Sequence, residues 1–124
     1  MRFMMVVRAD ERQMTGNPPP PEFMPAMGAF VAEMYGAGVL LDTGGLMPSA
    51  EGVRLRLSGG RQSVTDGPYA EAKEVIGGYA IVRAPSRAEA TELAKRFMAV
   101  HELWPGCEVE CEVREIIEAG PPPA

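Results

Sequence analysis

Apolar and polar positions along the chain fall into two kinds of segment, short runs and longer stripes. Residues 2–9 are a short apolar run bounded by charged side chains, which predicts a buried strand. Over residues 21–35, apolar side chains recur at helical spacing and predict an amphipathic helix whose stripe belongs to the core. A second helix is predicted to run to about His101, because Ser86 and Glu89 have the spacing of a capping box.

The remaining segments have the patterns of strands and turns. Residues 10–21, which end in four prolines, are predicted to be a loop, and residues 43–45 are expected to end a short strand. Leucine and valine alternate with arginine over residues 52–57, which predicts a hairpin with one solvated face. Strands after the first helix are predicted at residues 39–42, 52–57, 61–65, 75–83 and 107–117.

The resulting order of elements is β-α-β-(β-hairpin)-β-α-β. Two helices that cover an antiparallel sheet in this order make an α+β fold of the ferredoxin-like type. Gly77 and Gly78 lie inside the strand predicted at residues 75–83, where glycine is unusual and indicates a bulge or a close approach of ligand or backbone. We therefore expect valine to have different effects at these two positions.

Composition limits the classes of function. With 124 residues, the chain has room for one domain, assigned to residues 1–119, with residues 120–124 as a frayed tail. The net charge of −5 argues against binding of nucleic acid or anionic membranes through bulk charge. Only five apolar residues lie between Arg2 and Arg8, too few for a signal peptide or a membrane span, so the cytoplasm is the expected location.

Neither a metal nor a cofactor is expected from the motifs. Cys107 and Cys111 are four residues apart on a predicted strand, too far for a disulfide, and with one histidine they do not complete a zinc ligand set. The glycine pairs at 44–45 and 59–60 lack the spacing and the lysine of a phosphate loop.

The last predicted strand has two chemically different faces. Its cysteines and valines point one way, whereas Glu108, Glu110, Glu112 and Arg114 point the other. The charged face is either plainly solvated or part of a polar cleft or subunit interface, where arginines of this strand and of residues 52–57 would balance the acids.

The most distinctive run of the chain is at residues 64–79, which begin Val-Thr-Asp-Gly-Pro-Tyr-Ala-Glu-Ala-Lys-Glu. Asp66, Gly67 and Pro68 have turn chemistry, which is the simpler explanation of the aspartate. A carboxylate at a strand end, followed by Tyr69, Glu71 and Lys73, is also compatible with a polar pocket.

This run resembles the signature Asp-Gly-Pro-Phe-Ala-Glu-Thr-Lys-Glu of the DGPF branch of the YCII-related proteins, with Tyr69 in place of Phe and Ala72 in place of Thr. The resemblance extends to residues 1–4, 37–41 and 111–114. It implies a ferredoxin-like fold that dimerises into a dimeric α/β barrel, and no settled reaction. Some members of the family are encoded beside extracytoplasmic-function sigma factors. In the wider superfamily, one branch dehydrochlorinates chlorinated hydroxyquinol-type compounds with a histidine and an aspartate.

That histidine–aspartate pair has no clear match in this chain. The only histidine is His101, at the end of the second predicted helix. An imidazole titrates near neutrality and suits a general base, but the helix dipole also favours histidine at this position. No local signature of a Ser-His-Asp or Cys-His nucleophile is present.

Three hypotheses about function follow. The first is a homodimer that binds a small polar or aromatic molecule in a polar cleft, as a ligand-sensing module linked to a sigma factor. The second is a small lyase or dehydrochlorinase-like enzyme with Asp66 or His101 as general base, and the third is a purely structural dimer. The residues expected to line the cleft are Asp66, Tyr69, Glu71, Lys73, Glu112 and Arg114.

Overall fold

The computed structural model describes residues 1–69 and 74–118. Predicted site residues Glu71 and Lys73, and the predicted tail at 120–124, lie outside these ranges. The strands are β1 (Arg2–Ala9), β2 (Leu40–Gly45), β3 (Val53–Ser58), β4 (Arg61–Asp66), β5 (Val75–Arg83) and β6 (Val109–Glu115). The α-helices are α1 (Glu11–Thr15), α2 (Phe23–Gly36) and α3 (Arg87–Val100), with single 3₁₀ turns at Ser49–Glu51 and His101–Leu103.

Four strands form the main sheet of the described chain, in the order β2-β5-β1-β6, with every neighbouring pair antiparallel. The helices α2 and α3 connect strands that are not neighbours in this sheet. This order confirms the predicted α+β, ferredoxin-like arrangement. None of the described helices is long and apolar enough to cross a membrane.

One face of the main sheet packs against α2 and α3 and forms the core. Phe3 and Met5 of β1 are buried there, together with Met34 of α2 and Ala90 of α3. Cys111 and Val113 of β6 pack against this cluster, as the alternation of the last strand predicted. The Ser86 half of the predicted capping box is also confirmed. The Ser86 hydroxyl accepts a hydrogen bond from the Glu89 amide at 3.2 Å.

Two local predictions were wrong. The predicted loop at residues 10–21 contains α1, because the Asp10 carboxylate accepts a hydrogen bond from the Arg12 amide at 2.9 Å and caps this short helix. Gly44 and Gly45 do not end β2, because they pair with Tyr79 and Gly78 of β5. Local glycine chemistry predicts a break, whereas the neighbouring strand supplies the pairing that continues the strand.

The glycine pair of β5 serves two different purposes. Val7 of β1 pairs with Gly78 and Arg8 pairs with Ile76, so Gly77 is the extra residue of a β-bulge. Gly78 is buried, and a Cβ atom there would lie 3.1 Å from the backbone oxygen of Gly44. Both features named from the sequence, a bulge and a close backbone approach, are therefore present.

Valine at these two positions should have unequal effects on stability. We expect Gly78→Val to lower the free energy of unfolding by about 1–3 kcal/mol, because the added atoms must displace the backbone of β2. Gly77→Val should cost clearly less, since a Cβ atom there meets nothing within 4 Å. Urea denaturation of both variants tests this, and equal losses would contradict the assignment.

The β3–β4 hairpin forms a separate two-stranded sheet. Its apolar face was expected to be buried, but Leu55, Leu57 and Val64 are 63%, 71% and 65% exposed. The reason is that this face has no described layer of the same chain to pack against. A two-stranded hairpin is only marginally stable by itself in water. Another surface that covered this apolar face would therefore stabilise it.

Candidate functional site

An apolar cavity of about 440 Å³ lies between α2 and the main sheet. Phe23, Met27, Phe30 and Met34 of α2 contribute to one side of it. The sheet contributes residues of β1, β2 and β5. Phe97 of α3 also lines the cavity, as do His101 in the 3₁₀ turn after α3 and Trp104, which follows that turn. Its volume is that of a small-molecule site, and its walls are predominantly apolar, as such sites are.

The cavity owes its space to glycines on two neighbouring strands. Gly44 and Gly45 of β2 lie beside Gly77 and Gly78 of β5, and all four line the cavity. Gly45 pairs directly with Gly78, so no side chain rises from either strand at this point of the sheet. Gly45 and Gly78 are on the helix-facing side of the sheet, where a larger side chain at Gly45 would point toward α2, whereas a Cβ atom at Gly44 would meet the Tyr79 ring on the open face.

His101 is held in a defined orientation at the end of the cavity. Its Nδ1 atom lies 3.1 Å from the backbone oxygen of Phe97, and its ring packs edge-on against the Phe97 ring. Burial lowers the pKa of His101 below its usual value, although this hydrogen bond acts in the opposite direction. The ring is therefore neutral at neutral pH, and because Nδ1–H donates to Phe97, Nε2 is left as an acceptor.

Trp104 lies at the same end of the cavity. Its ring packs against the Phe23 ring, with the two ring centroids 5.0 Å apart. The Phe23 ring also packs against the His101 ring, at a centroid distance of 5.3 Å. The indole Nε1 atom is buried and has no hydrogen-bond partner among the described residues. An apolar cavity with a neutral acceptor at one end is suited to bind a ligand and to fix its orientation.

A second, polar cleft of about 500 Å³ lies at the base of the β3–β4 hairpin. The Glu11 carboxylate accepts hydrogen bonds from the amide and the hydroxyl of Ser49, each at 2.6 Å. The guanidinium of Arg54 lies 3.9 Å from the centre of the Tyr69 ring. These contacts tie the hairpin to α1 and to the segment after β4, so the polar groups have structural partners already.

The structure places the predicted site residues at several locations. Tyr69 lines the polar cleft. Asp66 is exposed at the end of β4, opposite Val53, and lines neither the polar cleft nor the apolar cavity. His101 lines the apolar cavity, so the two candidate bases belong to different surroundings.

Glu112 and Arg114 lie on the face of the main sheet away from the helices. Glu112 forms an ion pair of 3.5 Å with Arg8, which itself lines the polar cleft. Arg114 pairs across the sheet with Met4 of β1 and is exposed. Tyr69 and Glu112 are thus linked to one cleft, whereas Arg114 is not part of it.

The same open face carries a pair of side chains that sequence analysis missed. The Tyr79 hydroxyl donates a hydrogen bond of 3.3 Å to Asp42, and the negative charge of Asp42 raises the pKa of Tyr79. Both positions are on strands predicted from the sequence. Their proximity depends on the pairing of β2 with β5, which no local motif indicates.

A family model described as the YCII-related domain matches residues 1–119. The chain belongs to the YCII-related family. A search of curated proteins found no match to this YCII-related chain. Within the described parts of the chain, no three His, Cys, Asp or Glu side chains are grouped so as to hold a metal ion.

Sequence analysis of this YCII-related protein assigned the α2 stripe wholly to the core and gave Trp104 no role. Phe23 and Met34 are indeed buried, but the stripe also lines the apolar cavity. The available signal was the repetition of glycine pairs at 44–45 and 77–78. It becomes informative only when the two pairs are known to lie side by side.

Proposed function

We propose that this YCII-related protein is a homodimer that binds a small, largely apolar molecule in the apolar cavity of each protomer. The observation that carries the proposal is the 440 Å³ cavity above the paired glycines, with His101 and Trp104 at one end. Ligand sites of proteins combine such apolar walls with a few polar groups that fix orientation. The polar cleft is the weaker candidate, because Glu11 and Arg54 are engaged with Ser49 and Tyr69.

The open face of the main sheet supports the dimer. Since Phe3 and Met5 face the core, alternation places Met4 and Val6 on the opposite side, beside Ile81 of β5. These apolar side chains are flanked by charged residues of β6, including Glu112. A sheet whose second face has an apolar centre is stabilised when another layer covers it.

We favour a sensing role, in which the protein binds the molecule and does not react with it. A link of this sensor to a sigma factor, and membership of the DGPF branch, belong to the same proposal and are supported by the signature at residues 66–74. A proton-transfer reaction on the bound molecule is the second candidate. Its support is the neutral imidazole of His101, whose Nε2 atom is free to accept a proton in the described structure.

Filling the cavity should weaken the binding of an apolar probe. We expect 2-ethylnaphthalene to bind the native protein, and Gly45→Val to weaken binding by about tenfold or more, equivalent to about 1.4 kcal/mol. A Cβ atom at Gly45 has no neighbour closer than 4.0 Å, so the larger side chain has room to occupy the cavity without displacing the backbone. Calorimetric titration of protein into the probe gives both affinities.

Ala29→Val is the matched control for Gly45→Val, because Ala29 is on the exposed side of α2. It adds an apolar side chain of the same kind outside the cavity and should leave the affinity unchanged. No binding of 2-ethylnaphthalene to the native protein, or equal binding to Gly45→Val, would overturn the proposed function.

A further inference from the structure

Methionine is concentrated around the apolar cavity. Five of the nine methionines of the chain line it, namely Met5, Met14, Met24, Met27 and Met34. They belong to β1, α1 and α2, so they lie on more than one side of the cavity. A methionine side chain is unbranched and has three rotatable bonds, so it adapts to irregular shapes, and binding surfaces that accept many partners are rich in methionine for this reason.

Two of these methionines on α2 are not fixed by the core. Met27 is half-buried and Met24 is 63% exposed, and neither belongs to the cluster of packed core residues in the described chain. They are three residues apart and are therefore neighbours on one side of the helix. Met34, by contrast, is buried in the core. Met24 and Met27 can thus change rotamer without disturbing the buried core.

The cavity has no charged side chain with which to bind an ion. Its lining, as far as the structure describes it, contains no Asp, Glu, Lys or Arg. Burial lowers the pKa of His101, so its ring adds no positive charge at neutral pH. An ionised ligand would give up its hydration without meeting an opposite charge, which is strongly unfavourable in apolar surroundings.

We propose that the apolar cavity is a broad-specificity site for uncharged, hydrocarbon-rich molecules of different shapes, to which Met24 and Met27 adapt. This inference rests on the proposed function and defines its ligand class by charge and apolar character. A sensor with such a site responds to a class of compounds, because its walls repack around each member of the class.

Two probes with the same number of carbon atoms and different shapes test the adaptation. 2-Ethylnaphthalene is flat, whereas 1-ethyladamantane is globular and needs a wider gap between α2 and the sheet. We expect the native protein to bind both, with dissociation constants within about tenfold of each other in calorimetric titrations.

Stiffer side chains on α2 should remove this tolerance. Leucine has nearly the volume of methionine, so Met24→Leu/Met27→Leu should leave the fold intact, but its branched side chain has fewer ways to move aside. We expect the affinity of this double variant for 1-ethyladamantane to fall by about tenfold, and its affinity for 2-ethylnaphthalene to change by less than about twofold.

Met47→Leu/Met98→Leu is the matched control, because neither of these methionines lines the apolar cavity. The control makes the same exchange twice elsewhere in the chain and should leave both affinities unchanged.

A second pair of probes tests the exclusion of charge. 2-Acetylnaphthalene and 2-naphthoate have nearly the same shape, but the carboxylate of 2-naphthoate is ionised at neutral pH. We expect the native protein to bind 2-naphthoate at least about a hundredfold more weakly than the ketone, because the cavity does not replace the hydration of the anion.

The outcomes separate this inference from the proposed function. Equal affinities for 2-acetylnaphthalene and 2-naphthoate would overturn the exclusion of charge. Binding of 2-ethylnaphthalene without binding of 1-ethyladamantane, or equal effects of Met24→Leu/Met27→Leu on both, would overturn the adaptation. The proposed function would stand in each of these cases, whereas failure of every uncharged probe to bind would refute it together with this inference.

Discussion

Gly67→Ala is expected to loosen the base of the β3–β4 hairpin and to destabilise the protein. A Cβ atom at Gly67 would overlap the backbone carbonyl group of Ser49, which cannot move aside as a flexible side chain could. Ser49 is held by Glu11, and the Gly67 amide donates to the Gly52 oxygen at 3.0 Å. Relief of the overlap must therefore disturb contacts on both sides of the hairpin base, at a cost of about 1–3 kcal/mol or more.

Urea denaturation measures the change in stability, and limited proteolysis reports whether the hairpin becomes accessible. Gly16→Ala is the control, because a Cβ atom at Gly16 meets nothing within 4 Å. We expect its unfolding midpoint to stay close to that of the native protein. A stability of Gly67→Ala equal to that of Gly16→Ala would contradict the close packing of Gly67 against Ser49.

Ile81→Glu is expected to convert the proposed dimer into a monomer. Ile81 is half-buried on the open face of the main sheet, where it pairs with Met4 of β1 and Asp42 of β2. In a dimer that buries this face, the variant carboxylate would lose its hydration and lie near Asp42, so association should be strongly weakened. Light scattering at micromolar concentration should give twice 13.3 kDa for the native protein and about 13.3 kDa for the variant.

Ala88→Glu serves as the control for charge, because Ala88 is exposed on α3, away from the open sheet face. Its mass should equal that of the native protein. A native protein that scatters as a monomer would refute the dimer itself. A dimeric Ile81→Glu would refute the sheet-face interface, and the exposed apolar face of the hairpin would then be the surface to test.

The elements of the fold were predictable because their signals are local. The apolar run of β1, the helical stripe of α2 and the cap at Ser86 each act over a few residues, and each was predicted within a few positions. Their order also limited the fold to the ferredoxin-like class, because two helices and an antiparallel sheet leave few ways to bury one core. Errors arose where a local signal competed with pairing, as at Gly44 and Gly45.

The candidate site was predictable only in part. Of the residues predicted for a site, Tyr69 lines the polar cleft, whereas His101 lines the apolar cavity, apart from Asp66. The cavity itself arises from contacts between residues that are distant in sequence, such as Gly45 with Gly78 and Phe23 with Trp104. No pattern of spacing along the chain encodes such distances.

The sequence by itself therefore determined the strands, the two long helices, the fold class and the family signature, because periodicity, capping and turn chemistry act between near neighbours. Only the tertiary structure decided that two glycine pairs lie side by side and leave a cavity under α2. It also decided that His101 and Trp104 lie at one end of this cavity and that the leucines of β3 have no described layer to cover them. These features depend on contacts between elements that are distant in sequence. A shift in the register of one strand would change which side chains meet.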